Sequence, residues 1–222
     1  MDKVLENIKN IALRYKNINK VILFGSRARG DNTDKSDYDI AVFSHDMDGV
    51  EQYNFREDIE NINTLYKIDI VFIKEKHKGT PLYQNILKDG VIIMDKFQNK
   101  LNNFKNAVSR LHESIEAYNE LKNDVIKDAV IQRFEFTTEL AWKTTREYLL
   151  EQGLTNINSP KSVMREAYNN NLITDDNGWL QILDDRNSTS HIYDEDDANE
   201  VYNRITTNHI KLFDELLEKL SE

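Results

Sequence analysis

Val21-Ile22-Leu23-Phe24-Gly25-Ser26-Arg27-Ala28-Arg29-Gly30, then Ser36-Asp37-Tyr38-Asp39-Ile40-Ala41-Val42-Phe43, is the stretch that decides how this chain is read. The apolar run 21–24 stops abruptly at Gly25-Ser26, as a buried strand does when it passes into a tight turn and a helix start. Such a turn collects backbone N–H groups and the Ser26 hydroxyl around a phosphate, and glycine allows close approach of the backbone. Ten residues separate Ser26 from Asp37-x-Asp39, which leads into a second apolar run at 40–43. Residues two apart in a strand share a face, so both carboxylates look toward the turn. Hard oxygen donors beside a phosphate cradle suit Mg²⁺.

A third carboxylate comes from Lys67-Ile68-Asp69-Ile70-Val71-Phe72-Ile73, where Asp69 interrupts an otherwise apolar strand. A lone carboxylate in such a setting calls for a metal or a partner. Arg27 and Arg29 leave the turn directly. Two readings stay open for them: contact with a triphosphate or pyrophosphate, or, for one of the two, holding the turn to the Asp31/Asp34 loop.

On these residues the chain resembles the minimal nucleotidyltransferases of the DNA polymerase beta superfamily, whose signature of Gly-Ser, ten residues, Asp-x-Asp and a distant Asp is matched by Gly25, Ser26, Asp37, Asp39 and Asp69. The resemblance implies a Mg²⁺-dependent transfer of a nucleoside monophosphate, AMP from ATP, to a hydroxyl acceptor. Asp37, Asp39 and Asp69 would be the catalytic metal ligands, and Gly25, Ser26, Arg27 and Arg29 the groups that bind the nucleotide.

Elements alternate through the first part of the chain. Periodicity predicts a helix at 2–18, strands at 20–24 and 37–43, a helix at 48–65, a strand at 67–74, a helix at 81–89 opened by Pro81, and a strand at 91–94. That is an α+β plan with one mixed sheet and flanking helices, over 1–96. After Asp95 strand signals cease, and helices are predicted near 98–122, 124–152, 160–170, 177–187 and 196–220, an all-α bundle over 97–222. The last helix has the clearest apolar face, through Ala198, Val201, Ile205, His209, Leu212, Phe213, Leu216 and Leu220, which reads as core or as a dimer seam.

Charge divides the same way. Residues 1–97 hold 15 Lys and Arg against 16 Asp and Glu, and residues 98–222 hold 14 against 23, so the net charge of −10 belongs almost wholly to the second part. A polyanion is normally bound by a basic face, so RNA is disfavoured as a partner. The chain has no cysteine, which removes disulfides and thiolate metal sites. With no long apolar span or signal peptide in view, a cytoplasmic protein with no membrane partner is expected.

Within the helical part, Arg186-Asn187-Ser188-Thr189-Ser190-His191-Ile192-Tyr193 stands out, together with the run Phe134 to Lys143. These residues resemble the HEPN superfamily, and more closely its nucleotidyltransferase substrate-binding branch. HEPN ribonucleases carry Arg, four to six residues, then His, which Arg186 and His191 match as catalytic candidates. Toxins paired with minimal nucleotidyltransferases add a tyrosine two positions later, where Tyr193 stands, and the paired antitoxin transfers AMP to that tyrosine. The resemblance therefore implies a fused toxin and antitoxin with Tyr193 as modification acceptor, and a homodimer through the helical domain. Against nuclease chemistry stand Asp184, Asp185, Asp194, Glu195, Asp196 and Asp197. A structural reading, with Arg186 and His191 salt-bridged inside this acidic cluster, stays open. Two further functions are weighed: a transferase acting on a cationic small molecule such as an aminoglycoside, recruited by the acidic bundle, and a nucleotide-binding dimer platform without turnover. The other histidines, 45, 77, 112 and 209, lack metal-ligand spacing and read as satisfied core or surface residues.

Overall fold

The computed structural model describes residues 2–189 and 195–222 and divides the chain into two compact units, Met1–Lys96 and Phe97–Glu222. The first unit is built on four strands, β1 (Ile18–Phe24), β2 (Tyr38–Ser44), β3 (Ile68–Ile73) and β4 (Val91–Asp95), in the spatial order β3-β2-β1-β4. β1 pairs antiparallel with β2 and with β4, and β2 pairs parallel with β3, so the sheet is mixed as the pattern predicts. A parallel pair needs a crossover. It is made by the helix Gly49–Glu60 (α3), which Asp48 opens with a capping box to Glu51.

Alternation along the strands sorts two cores. Val21, Leu23, Ile40, Val42, Ile70 and Phe72 pack beneath α1 (Lys3–Ala12) and α3 through Ile8, Ala12, Phe55 and Ile59. Ile22, Ala41 and Ile73 face the other way, against Ile86 of the helix Pro81–Asp89 (α4), which Thr80 caps and Pro81 begins. A five-residue helix, α2 (Gly25–Arg29), follows β1 and ends at Gly30 in the left-handed region, φ 79°.

Two predicted helices are shorter than the pattern suggests. α1 stops at Ala12 instead of 18, because Arg14 and Tyr15 both bond to Asp58 Oδ2 on α3 (3.0 and 2.8 Å) and turn the chain into β1 two residues early. α3 ends at Glu60, and Ile62 packs into the core beyond it from a turn.

The regular structure described in the second unit is all helical: α5 (Lys96–Leu121), α6 (Asp124–Glu151), α7 (Pro160–Asn169), α8 (Asp176–Thr189), α9 (Glu195–Arg204) and α10 (Ile210–Ser221). Phe104, Phe134, Trp179 and Phe213 form its centre, with edge-on rings at Phe104–Phe213 (6.3 Å) and Trp179–Phe213 (5.6 Å). α6 buries four threonines without stranding a hydroxyl: Thr137, Thr138, Thr144 and Thr145 each donate to the carbonyl four residues earlier. The predicted helix 196–220 is not continuous α-helix. A π turn, Ile205–His209, joins α9 to α10, and its wider winding puts His209 in the core, where its ring stacks on Phe134 at 5.4 Å. The apolar stripe of this segment lies in the unit's own core, with Ile205, Phe213, Leu216 and Leu220 buried.

Candidate active site

β1 ends at Phe24, whose Cα partner is Asp39 on β2, and Asp39 is in turn the Cα partner of Asp69 on β3. Asp39 shares its face with Ala41 and Asp69 with Val71, so both point to the α4 face of the sheet. Gly25 closes the site from the β1 side. Its φ is +72°, and a Cβ there would lie 2.1 Å from Asp39 Oδ2, so any side chain at Gly25 would overlap the carboxylate. The Ser26 hydroxyl makes no hydrogen bond among the described residues, and the first N–H groups of α2 lie beyond reach of intrahelical acceptors.

Electrostatics at this point are lopsided. Partial burial, then Asp69 and Asp37, push the Asp39 carboxyl above the usual carboxylate range, while Lys67 and Arg29 pull the other way. Asp69 does not sit as a buried lone carboxylate. It is 45% exposed and takes the Lys67 ammonium at 2.7 Å, because β3 is the edge of the sheet and leaves that side open to water. The nucleotidyltransferase motif does not include Lys67, and the signal for it in the sequence is its spacing of two from Asp69 at the start of a strand.

The two arginines separate. Arg27 Nε and Nη2 donate to the Ser36 carbonyl at 3.0 and 2.7 Å, and the guanidinium lies 4.0 Å over the Tyr38 ring and 4.7 Å from Tyr66. It fastens the loop that carries Asp37. Arg29 is exposed and holds Asp31 at 3.1 Å.

The donor set fits Mg²⁺: three carboxylates with excess negative charge beside a glycine that keeps the approach clear. Among the described residues no three His, Cys, Asp or Glu side chains are drawn to ligand distances, and the Lys67 ammonium lies on Asp69. A cleft of about 470 Å³ lined by Asn7, Asn10, Arg14 and Asp58 lies at α1 and α3, on the other face, and includes none of these aspartates.

In the helical unit, His191 and Tyr193 lie outside the described residues. Arg186 is described, and its Nη2 binds Glu139 Oε1 of α6 at 2.7 Å. Glu139 also accepts from Trp142 Nε1 (3.1 Å) and pairs with Lys143 (3.0 Å). The ion pair described for Arg186 is thus with Glu139 of another helix, while Asp194 of the neighbouring acidic run lies, like His191, outside the described residues. Asp185 points inward, 3% exposed, and accepts from Arg204 Nε (2.8 Å) and Nη2 (3.0 Å) and from Gln181 (2.9 Å), with His209 Nε2 at 2.7 Å. Burial pushes its carboxyl up, but the bonds from His209, Arg204 and Gln181 outweigh that and hold it at about 2. Arg146 donates to the Ile157 carbonyl at 2.9 Å.

A mixed sheet with aspartates paired across β2 and β3 beside a Gly-Ser turn, followed by a helical bundle, defines a nucleotidyltransferase joined to a helical substrate-binding domain. The chain belongs to the family described as nucleotidyltransferase substrate binding protein like, matched over residues 99–222, and residues 6–99 match polymerase beta nucleotidyltransferases. A curated relative, "Probable ribonuclease HepT" of Haemophilus influenzae, is 35% identical over 86 residues, which is 37% of this chain and 59% of the relative's length. A solved Haemophilus influenzae structure, described as revealing the fold of a substrate binding domain of a nucleotidyltransferase, aligns at 29% identity and TM-score 0.50, covering 55% of this chain and 99% of that one. A tri-AMPylated HEPN toxin of Shewanella oneidensis, in complex with an MNT antitoxin, aligns at 20% identity and TM-score 0.48, covering 56% and 96%. No helix among the described residues is long and apolar enough to cross a membrane.

Proposed function

We propose that the chain transfers AMP from ATP to a hydroxyl, with Tyr193 of its own helical part as acceptor. The observation that carries the reading is the register of Asp39 with Asp69 beside Gly25, in a site whose carboxylates repel one another. The Ser26 hydroxyl and the first N–H groups of α2 bind the β- and γ-phosphates, helped by the exposed Arg29. Arg27 keeps the Asp37 loop in place. Asp37, Asp39 and Asp69 hold Mg²⁺, which when bound supplies neutralisation of the charge on the α-phosphate and the departing pyrophosphate. Asp69, whose side chain is 45% exposed, takes the proton of the acceptor hydroxyl. The acceptor oxygen bonds to the α-phosphorus as its bond to the bridging oxygen breaks, and pyrophosphate leaves.

A second reading, a cationic small-molecule acceptor, is favoured by the acidity of residues 98–222, with 14 basic against 23 acidic residues. Intact mass after incubation with ATP and Mg²⁺ separates the two. A gain of AMP that disappears in Asp37→Ala/Asp39→Ala and in Tyr193→Phe supports self-modification. A protein that releases pyrophosphate only when a cationic acceptor is added, with its own mass unchanged, favours the second reading.

A further inference from the structure

Among the described residues, one cation bonds directly to any of Asp37, Asp39 and Asp69, and that cation is Lys67, on Asp69 at 2.7 Å. Its backbone is fixed: Tyr38 N donates to the Lys67 carbonyl at 2.9 Å, which extends the β2–β3 ladder by one residue. Its side chain is 67% exposed, so the ammonium is tethered at the site yet free to swing. We propose that Lys67 makes this site discriminate between a bare divalent ion and one that arrives with its nucleotide, an inference that rests on the nucleotidyltransferase reading above.

The argument is one of charge. A bare dication must displace the ammonium from Asp69 and then sit near a positive charge tethered to the same strand end, so Lys67 opposes it twice. A divalent ion carried by a nucleoside triphosphate arrives as part of a net anion, and the displaced ammonium then has phosphate oxygens within reach. Lys67 therefore weakens the first binding event and strengthens the second. Arg29 is held by Asp31 and Arg27 by the Ser36 carbonyl, so neither takes this place on the carboxylates. A residue that only braced β3 would change both affinities in the same direction.

The test is Mn²⁺ binding to the full chain, followed by the loss of the free-ion electron paramagnetic resonance signal, with and without a non-hydrolysable ATP analogue. In Lys67→Gln, bare Mn²⁺ is expected to bind about threefold to tenfold tighter, and Mn²⁺ with the analogue weaker by about the same factor. Lys67→Arg keeps the charge and is expected to stay near the unmodified protein in both. Shifts of the same sign, or none, overturn the inference. If Mn²⁺ binding is lost in Asp37→Ala/Asp39→Ala while Lys67→Gln behaves as the unmodified protein, the role of Lys67 falls and the nucleotidyltransferase reading stands. If no form binds Mn²⁺ with or without the analogue, both fall.

Discussion

Asp39 in the sheet and Asp185 in the helical unit are both carboxylates drawn away from water, and they are handled in opposite ways. Asp185 is given a bidentate arginine, a histidine and a glutamine, and its negative charge is fully answered. Asp39 is given two more carboxylates as neighbours, with the nearest ammonium on Asp69. A saturated carboxylate holds helices together. An under-neutralised one stores a demand for cations, and the cost of keeping it is tolerated where binding meets that demand.

Breaking the sheet site and breaking the helical one should therefore give different phenotypes. Asp39→Ala is expected to lower transfer by about a thousandfold or more, with thermal stability unchanged or raised because repulsion is relieved, as measured by pyrophosphate release beside a melting curve. Arg204→Met should do the reverse. It leaves a buried charge half answered, which costs about 3–5 kcal/mol of stability in denaturant titrations.

Acid should sharpen the contrast. The folded Asp185 carboxyl stands at about 2, below its ordinary value, so its contribution is present above about pH 4 and is lost as pH falls through about 2. That contribution is roughly 2–3 kcal/mol, and Asp185→Asn should flatten this arm of the stability curve. Asp39 has the opposite sign: its folded carboxyl is raised, so ionising it costs stability as pH climbs above the ordinary carboxylate range, a cost Mg²⁺ should remove. Gly25→Ala is expected to cost about 1–2 kcal/mol from its positive φ alone, and to impair transfer through the overlap with Asp39. Lys143→Ala, which removes an exposed pair on Glu139, should change stability by about 0.5 kcal/mol or less and marks the floor of the series.

Legibility in the sequence followed the range of each interaction. The mixed sheet and the succession to helices could be read because strand and helix periods are local, and Thr80-Pro81 and Ser159-Pro160 mark helix starts by themselves. Gly25-Ser26 and Asp37-x-Asp39 are likewise local, and Asp69 shows as a charge within an apolar run. Their places on the sheet follow from alternation, while their chemical roles belong to the proposal. Asp185 could not be picked out. It stands among other acidic residues, and its partners Arg204 and His209 are 19 and 24 positions away on segments whose facing only the packed bundle reveals. The π turn was hidden too, since one extra residue per turn leaves an apolar stripe nearly unchanged.

The parallel pairing of β2 with β3 has a consequence for when the site exists. Parallel strands cannot meet through a tight turn, so Asp69 reaches Asp39 only after the chain has closed a long loop through α3, a late and entropically expensive event in folding. Once formed, β3 is one of the two edge strands, paired on one side only, and opens more readily than the central β1 and β2. The third carboxylate is thus the last part of the site to assemble and the first to leave, and opening at that edge leaves two aspartates standing while it draws Ile70 and Phe72 out of the core beneath α1 and α3.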